Sequence, residues 1–167
     1  NVGLGHVFDA MKLAEKYGIQ EYPTPGGGCQ LTEKAFVPKI IDLFDHGADI
    51  VDDISLLTCG RHFRVDQKTK IILSRDQAEG DYLEKRTGAG DVLLVPHNFS
   101  GPSCLIRGEV TDRALEIAAG LMRFYARTAG LDQVITEVLI GPDTQHGRRI
   151  KSPEFSQSDV VQYRITK

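Results

Sequence analysis

Residues Arg61–Arg75, RHFRVDQKTKIILSR, predict the centre of the fold. Two runs rich in aromatic and β-branched residues, His62–Val65 and Lys70–Arg75, flank a polar segment, Asp66–Thr69. Two such runs joined by a few polar residues are typical of a β-hairpin. We therefore predict that residues 61–75 form two neighbouring strands of a sheet.

Other strands and helices are predicted on both sides of this hairpin. Helices are expected at residues 6–17, 36–46, 77–86 and 112–129, mostly from apolar residues that recur every three or four positions. Strands are expected at residues 91–96, 103–108 and 133–141, with an edge strand at 160–166 and a long polar loop before it. This irregular order favours an α/β or α+β fold, a single domain in which helices pack on a mixed sheet.

The composition is typical of a soluble globular domain. The chain has 167 residues, of which 41% are hydrophobic and 26% charged, so it can bury a core without disulfides. No apolar run approaches the ~20 residues of a membrane helix, and we expect no membrane partner. Three widely spaced cysteines without a CxxC pair favour reduced thiols in the cytoplasm and predict no metal site. Cys104 alternates within a predicted strand and is expected to pack in the core.

The loop Glu21–Thr32, EYPTPGGGCQLT, lacks the Lys-Ser/Thr pair of a phosphate-binding loop and the spacing of a dinucleotide fingerprint. Two interpretations of it stay open. The glycines form a hinge between a leading helix and the main body, or the loop presents Cys29 as a reactive thiol. The chain starts at Asn1 and not at a methionine, inside what looks like a continuing segment, NVGLGHVFDAMKLAEKYG, which suggests a piece of a longer protein.

Positive charge is concentrated although the net charge is −3 and the pI is near 6.0. Gly60–Arg64 combines two guanidiniums, the imidazole of His62 and an aromatic ring, a group that suits phosphate pairing with base stacking. The alternative is a hairpin edge whose cations are solvated, with Phe63 in the core. The acidic pI argues against a domain that binds nucleic acid over its whole surface.

A second basic group, which contains Arg148 and Arg149 beside His146, lies in the predicted polar loop. Such a group is usually a solvated loop. It would contribute to an RNA site only if it faced Arg61, and on that condition Arg148 and Arg149 are candidate RNA-binding residues.

The segments PTPGGGCQLT, LLTCGRHFR, KIILSRDQAEGDYL, GDVLLVP and GPSCLIRG resemble, in this order, the C-terminal part of tRNA thiouridine synthase-like proteins. The resemblance covers most of residues 13–110. Those proteins carry an N-terminal PP-loop ATP pyrophosphatase domain followed by an NFACT-R-type domain that is expected to bind RNA. The resemblance implies that residues 1–31 are a helical connector and loop, the tail of a missing PP-loop domain, and that residues 32–167 are an NFACT-R-like α/β domain.

The resemblance also implies roles for individual residues. Arg61, His62, Arg64 and Arg75 would contact tRNA, and Cys29 matches the cysteine of the family's glycine-rich loop. The missing domain would use ATP to activate a tRNA base for sulfur transfer, while this piece would need no cofactor and would position the tRNA.

Two alternatives to this RNA-binding role stay open. The chain is a protein-interaction module that docks the PP-loop domain or a sulfur donor protein, or Cys29 itself carries sulfur in catalysis.

Overall fold

The computed structural model describes residues 36–46, 54–140 and 143–165. The chain divides into two compact units, Asn1–Val37 and Pro38–Lys167, and all but two of the described residues belong to the second. The helix predicted at residues 6–17, the glycine-rich loop and Cys29 lie outside the described residues. The expectations about them, and about a boundary near residue 31, stay predictions.

A six-stranded antiparallel sheet forms the centre of the described unit. Its strands follow the order β1-β2-β4-β3-β5-β6, and each of the five pairings among them is antiparallel rather than mixed. The fold is therefore α+β, one of the two classes that the sequence favoured. The strands are β1 (Arg61–Arg64), β2 (Thr69–Leu73), β3 (Val92–Pro96), β4 (Cys104–Gly108), β5 (Ile135–Ile140) and β6 (Asp143–Lys151).

Four helices accompany the sheet in the described part of the chain, together with a helical turn at residues 54–56. Side-chain caps explain where the middle two begin, because Asp76 accepts a hydrogen bond from the N–H of Glu79, and Thr111 accepts one from that of Ala114. None of the described helices is long and apolar enough to cross a bilayer. The helices are α1 (Val37–Asp45), α2 (Gln77–Lys85), α3 (Asp112–Phe124) and α4 (Gln157–Tyr163).

The predicted hairpin is confirmed. Strands β1 and β2 pair with Phe63 opposite Ile71, and the carboxylate of Asp66 accepts a hydrogen bond from the N–H of Lys68 in the turn. Gly60 enters β1 with φ 66°, and a Cβ there would lie 2.5 Å from the carbonyl oxygen of Leu73. Both the positive φ and this close approach require glycine.

The two faces of the sheet bury separate sets of side chains. The α3 face carries Phe63, Ile71 and Cys104, which pack against α3 and α4. The α2 face carries Ile72 and Leu105, which pack with side chains from α2 and from the turn at residues 54–56. Cys104 has no exposed surface, which confirms its predicted packing role. Since side chains alternate along a strand, each residue of β1 is assigned to one face.

The C-terminal segment differs from the prediction. The expected polar loop contains β6, and the first four residues of the edge strand expected at 160–166 belong instead to helix α4. A capping box starts this helix, because Ser156 and Asp159 each bond the other's backbone N–H. Only Arg164, just after the helix, forms an isolated antiparallel bridge with Phe63 of β1.

Helix α3 ends at Phe124 instead of Ala129, the residue at which it was predicted to end. The chain turns after Tyr125, and the N–H of Arg127 donates to the carbonyl oxygen of Ser100 at 3.0 Å. The end of α3 is therefore attached to the loop between β3 and β4.

Candidate nucleic-acid interface

The guanidinium of Arg61 lies on an aromatic ring at one edge of the sheet. Its central carbon is 4.6 Å from the centroid of the Tyr125 ring, and its Nη1 donates to the carbonyl oxygen of Ser74 at 3.3 Å. The Tyr125 ring is supported in turn by Phe124, at 5.0 Å between centroids, and by Phe63, at 6.4 Å. The cation–π contact and the hydrogen bond together fix the position of the guanidinium.

An open cleft of about 290 Å³ lies beside this pair. Its walls come from four segments, namely Arg61 at the start of β1, residues 74–77 at the start of α2, residues 100–103 between β3 and β4, and Tyr125 and Arg127 after α3. We call it the arginine cleft, because Arg61, Arg75 and Arg127 all line it. It thus brings together two of the predicted site residues, Arg61 and Arg75.

Close contacts hold three of these segments together, those at residues 74–77, at residues 100–103 and after α3. The N–H of Ser74 donates to the carbonyl oxygen of Ser103 at 2.9 Å, and the N–H of Ser103 donates to Oγ of Ser74 at 3.0 Å. The loop also approaches the end of α3 closely, since a Cβ on Gly101 would lie 2.7 Å from that of Ala126. This contact leaves no room for a side chain at residue 101.

The three guanidiniums differ in how much of their charge is neutralised. Arg75 donates to both carboxylate oxygens of Glu79, from Nε at 2.8 Å and from its backbone N–H at 2.7 Å, and the hydrogen bond raises the pKa of Arg75. Arg127 is exposed, and its guanidinium has no partner among the described residues. The guanidinium of Arg61 contacts a ring and a carbonyl instead of an acid. The cleft therefore offers two uncompensated positive charges to an anionic ligand.

Arg64, predicted to contact RNA, is engaged on the opposite face of the sheet. It binds the carboxylate of Asp42 in α1 through two hydrogen bonds, Nε–Oδ1 at 2.8 Å and Nη2–Oδ2 at 2.6 Å. The Nζ of Lys70 lies 3.2 Å from the same carboxylate. We call Asp42, Arg64 and Lys70 the Asp42 cluster. The side chains of Asp42, Arg64 and Lys70 are 9%, 17% and 8% exposed. Arg64 therefore links α1 to the hairpin and is not presented to solvent for an RNA contact.

The Asp42 cluster shifts the ionisation of its acid. Burial by itself would raise the pKa of Asp42, but the hydrogen bond from Arg64 and the charges of Lys70 and Arg64 outweigh this effect and lower it. The carboxylate is therefore charged at neutral pH and holds its two cations.

His62, which was also predicted to contact RNA, is buried in this structure, with only 2% of the residue exposed. Its Nε2 donates to the carbonyl oxygens of Cys59 and Leu56 at 2.8 and 3.1 Å. Its Nδ1 is buried and has no hydrogen-bond partner in the described structure. Burial is the main reason why the pKa of His62 lies well below 6.5, and the positive charges of Lys70 and Lys39 lower it further. The ring is therefore neutral at physiological pH.

Arg148 and Arg149 lie on β6, at the other edge of the sheet from Arg61. Five strand spacings of ~4.8 Å separate the two edges, which amounts to about 24 Å. Arg148 donates to the carboxylate of Asp112 at 2.9 Å, and Nε of Arg149 lies 4.0 Å from Oε1 of Glu137. The condition for including these two arginines in the site, that they face Arg61, is not met.

Two residues of the cleft, Tyr125 and Arg127, were missed by the sequence analysis. Both fall within the helix predicted at residues 112–129, which has no local signal for a cleft. The glycine and proline in residues 97–102 indicate a loop, and this is the loop that packs against the end of α3. Its contact with the end of α3 is tertiary and has no local signal in the sequence.

The two described cysteines are chemically quiet. Burial raises the pKa of Cys59 to about 11, and it raises that of the fully enclosed Cys104 as well, so both are neutral thiols at physiological pH. Within residues 36–46, 54–140 and 143–165, no group of three or more His, Cys, Asp or Glu side chains could hold a metal ion.

Comparisons with known proteins agree with this architecture. A search of curated proteins finds no match. Among solved structures, the chain is similar to the C-terminal part of the fibronectin/fibrinogen-binding protein from Streptococcus suis, with a TM-score of 0.54 and 12% sequence identity. That match covers 78% of this chain and 66% of the other, just under two thirds of its length, and it shows the fold alone.

A family model gives the stronger result. The model described as NFACT protein RNA binding domain matches residues 60–164, a range that contains every element from β1 to α4. Since this range is more than half of the 167 residues, the chain belongs to the NFACT protein RNA-binding domain family.

Proposed function

We propose that this domain binds tRNA and that the arginine cleft is where it does so. The observation that carries the proposal is the convergence of three guanidiniums, from three separate segments, on one cleft beside Tyr125. A guanidinium can donate two parallel hydrogen bonds to a phosphate group. The membership of the NFACT RNA-binding family supports RNA as the ligand.

The charge distribution is consistent with a local site. The whole chain carries a net charge of −3, so a general positive field does not attract RNA to it. Arg61 and Arg127 instead supply charge at one place, where no described carboxylate is bonded to either guanidinium. We expect binding to be moderate in strength and sensitive to salt, because phosphate contacts release counterions.

The resemblance to tRNA thiouridine synthase-like proteins suggests the reaction in which this domain takes part. We propose that the domain positions tRNA in the cytoplasm for a PP-loop domain, which would use ATP to activate a base for thiolation with sulfur from a donor protein. The GGGCQLT and GRHFR segments support this context. Cys29 would then either form part of a hinge or carry the sulfur.

A second candidate function is protein docking. Ile41 and Phe44 of α1 are 50% and 61% exposed. Exposed apolar side chains on one helix are typical of a surface that contacts another protein. In this alternative, α1 binds the PP-loop domain or the sulfur donor, and the cleft has no role in RNA binding.

Measuring tRNA affinity over a range of salt concentrations tests the proposal. The variant Arg61→Ala/Arg127→Ala removes two charges from the cleft, and Arg148→Ala/Arg149→Ala removes two from the far edge of the sheet. Each lost phosphate contact on unpaired RNA should flatten the slope of log affinity against log salt by about 0.7. We therefore expect the first variant to flatten the slope by about 1–2 units and the second to leave it nearly unchanged.

Two outcomes would contradict the proposal. If both variants weaken binding equally, the RNA responds only to total charge and the cleft is not the site. If neither variant changes the slope while both remain folded, protein docking becomes the better explanation.

A further inference from the structure

We infer that the arginine cleft receives a single unpaired nucleotide of the RNA, with its base stacked on Arg61, and not the backbone of a duplex. This inference rests on the proposed function, because it names the part of the RNA that the same cleft would bind. It follows from the size of the cleft, from the Arg61–Tyr125 stack and from where the other cations lie.

The size of the cleft favours one nucleotide. Its volume of about 290 Å³ is at the small end of ligand pockets. Proteins that bind double-stranded RNA instead contact phosphates along about 16 base pairs. Here three arginines that could extend such a track away from the cleft are already bound to acids, Arg64 to Asp42, Arg123 to Glu154 and Arg148 to Asp112.

The Arg61–Tyr125 stack provides a surface for a base. The ring of Tyr125 lies on one side of the guanidinium, Ser74 holds one of its nitrogens, and the side chain lines the cleft. Unpaired bases stack on the planes of guanidiniums and aromatic rings, whereas bases inside a helix are already stacked on their neighbours. A base entering the cleft would therefore continue the stack that Tyr125 and Arg61 begin.

The rest of the cleft suits the polar parts of a nucleotide. Arg127 offers a guanidinium without a partner among the described residues, which can bind the phosphate. Ser100 and Gln77 line the same space and carry groups that can both donate and accept hydrogen bonds. The cleft thus combines a stacking surface, a positive charge and neutral polar groups within the reach of one nucleotide.

Fluorescence anisotropy with the full 167-residue chain and two labelled RNA probes tests the inference. One probe is a short single-stranded RNA, and the other is the same strand annealed to its complement with blunt ends. We expect the wild-type chain to bind the single strand about tenfold more tightly, because one stacked base changes affinity by about 5- to 150-fold.

The variant Arg61→Lys separates stacking from charge, because lysine keeps the positive charge but has no planar group. It should lower single-strand affinity at least fivefold, change duplex affinity little, and shift the salt slope by less than one unit. Arg148→Lys is the matched control and should change neither affinity. Tyr125→Leu removes the ring on which Arg61 rests, whereas Tyr125→Phe keeps it. We expect Tyr125→Leu to lower single-strand affinity and Tyr125→Phe to retain it. Because Tyr125→Leu tests the stack independently of Arg61→Lys, a folding defect in one variant does not decide the result.

The outcomes distinguish the two levels of the proposal. Equal binding of the two probes by the wild-type chain, or an unchanged preference in both Arg61→Lys and Tyr125→Leu, would overturn the single-nucleotide inference. Salt-sensitive binding that depends on Arg61 and Arg127 would still support the proposed function in that case. If the chain binds neither probe nor tRNA, the proposed function fails and this inference fails with it.

Discussion

Arg61 and Arg64 are three residues apart in β1, but they lie in opposite environments. Arg61 lines an open cleft, where its guanidinium rests on Tyr125. Arg64 is 17% exposed and is bound to the carboxylate of Asp42. Because side chains alternate along a strand, an odd separation places two residues on opposite faces of the sheet. Two identical side chains can therefore have a binding role and a structural role within one short motif.

The arginine cleft and the Asp42 cluster also differ in what neutralises their charge. In the cluster, one buried carboxylate holds two cations and thereby links α1 to the hairpin. In the cleft, two of the three guanidiniums have no acidic partner in the described structure. Replacing charges in the cluster should therefore change stability, whereas replacing charges in the cleft should change RNA binding.

Removal of the Asp42 carboxylate should have the largest effect. In Asp42→Ala the guanidinium of Arg64 remains largely buried without its acid, and breaking a buried pair in this way costs about 3–5 kcal/mol. The free energy of unfolding, measured by urea denaturation, should fall by about that amount. The RNA affinity of the folded fraction should not change, because the cleft lies on the other face.

The matched control for this experiment is Asp112→Ala, since Asp112 also binds an arginine but its side chain is 89% exposed. Exposed pairs contribute little, and the loss of stability should be less than about 1 kcal/mol. Equal losses in the two variants would contradict the structural role of the Asp42 cluster.

The neighbouring residue His62 predicts a dependence of stability on pH. Its pKa in the folded chain is well below 6.5 because the ring is buried and because Lys70 and Lys39 repel a proton, whereas its pKa in the unfolded chain is about 6.5. The unfolded chain therefore binds a proton that the folded chain does not. Stability should fall as the pH drops below about 6.5, by up to about 1.4 kcal/mol per pH unit, and this group should have no effect above it.

Urea unfolding at several pH values between about 7.5 and 5 measures this effect. Glutamine can donate to the carbonyls that His62 contacts but does not titrate, so His62→Gln should remove most of the slope below pH ~6.5. His97→Gln, at a more exposed histidine, should retain it. Asp42 does not contribute to the change in stability over this pH range. Its pKa is lowered in the folded chain, so its contribution to stability is complete above pH ~4 and is lost only at lower pH. A wild-type chain whose stability is the same at both ends of this range would refute the prediction.

The parts of the fold that the sequence predicted correctly are those with local signals. The hairpin has two apolar runs around a polar turn, and α2 and α3 each begin at a side-chain cap. The C-terminal elements were missed because their signals conflict. The alternation along VVQYRIT, residues 160–166, favoured a strand, whereas the capping box of Ser156 and Asp159 starts a helix there. The charged residues of β6 suggested a loop, although charge is common on edge strands.

The candidate site was predicted only in part because its environment is tertiary. The alternation of Arg61, Phe63 and Arg64 along β1 could have separated the two arginines onto different faces. Nothing local shows, however, that the second face is covered by α1, whose Asp42 lies 22 residues before Arg64. Likewise, Tyr125 and Arg127 join the cleft because a distant loop packs against the end of α3, where Arg127 bonds Ser100. The sequence shows which residues are cationic, but its local patterns do not predict which of them lie together in the cleft.

The smallest predicted effect concerns Arg75, whose environment is intermediate between those of Arg61 and Arg64. Its side chain is 52% exposed and lines the cleft, but Glu79 neutralises its charge. In Glu79→Gln the amide can still accept a hydrogen bond, and the charge of Arg75 becomes available to a phosphate. We expect tRNA affinity at low salt to rise a few-fold and the salt slope to steepen by about 0.7, the value for one added contact on unpaired RNA.

Glu154→Gln is the control for this variant, because Glu154 also binds an arginine, Arg123, and neither residue lines the cleft. It removes the same unit of negative charge from the chain and should leave the slope unchanged. If both variants raise the affinity equally, the RNA responds to net charge and not to the release of Arg75. If Glu79→Gln weakens binding while the chain remains folded, the ion pair positions Arg75 for the RNA, and its neutralised charge is not what limits affinity.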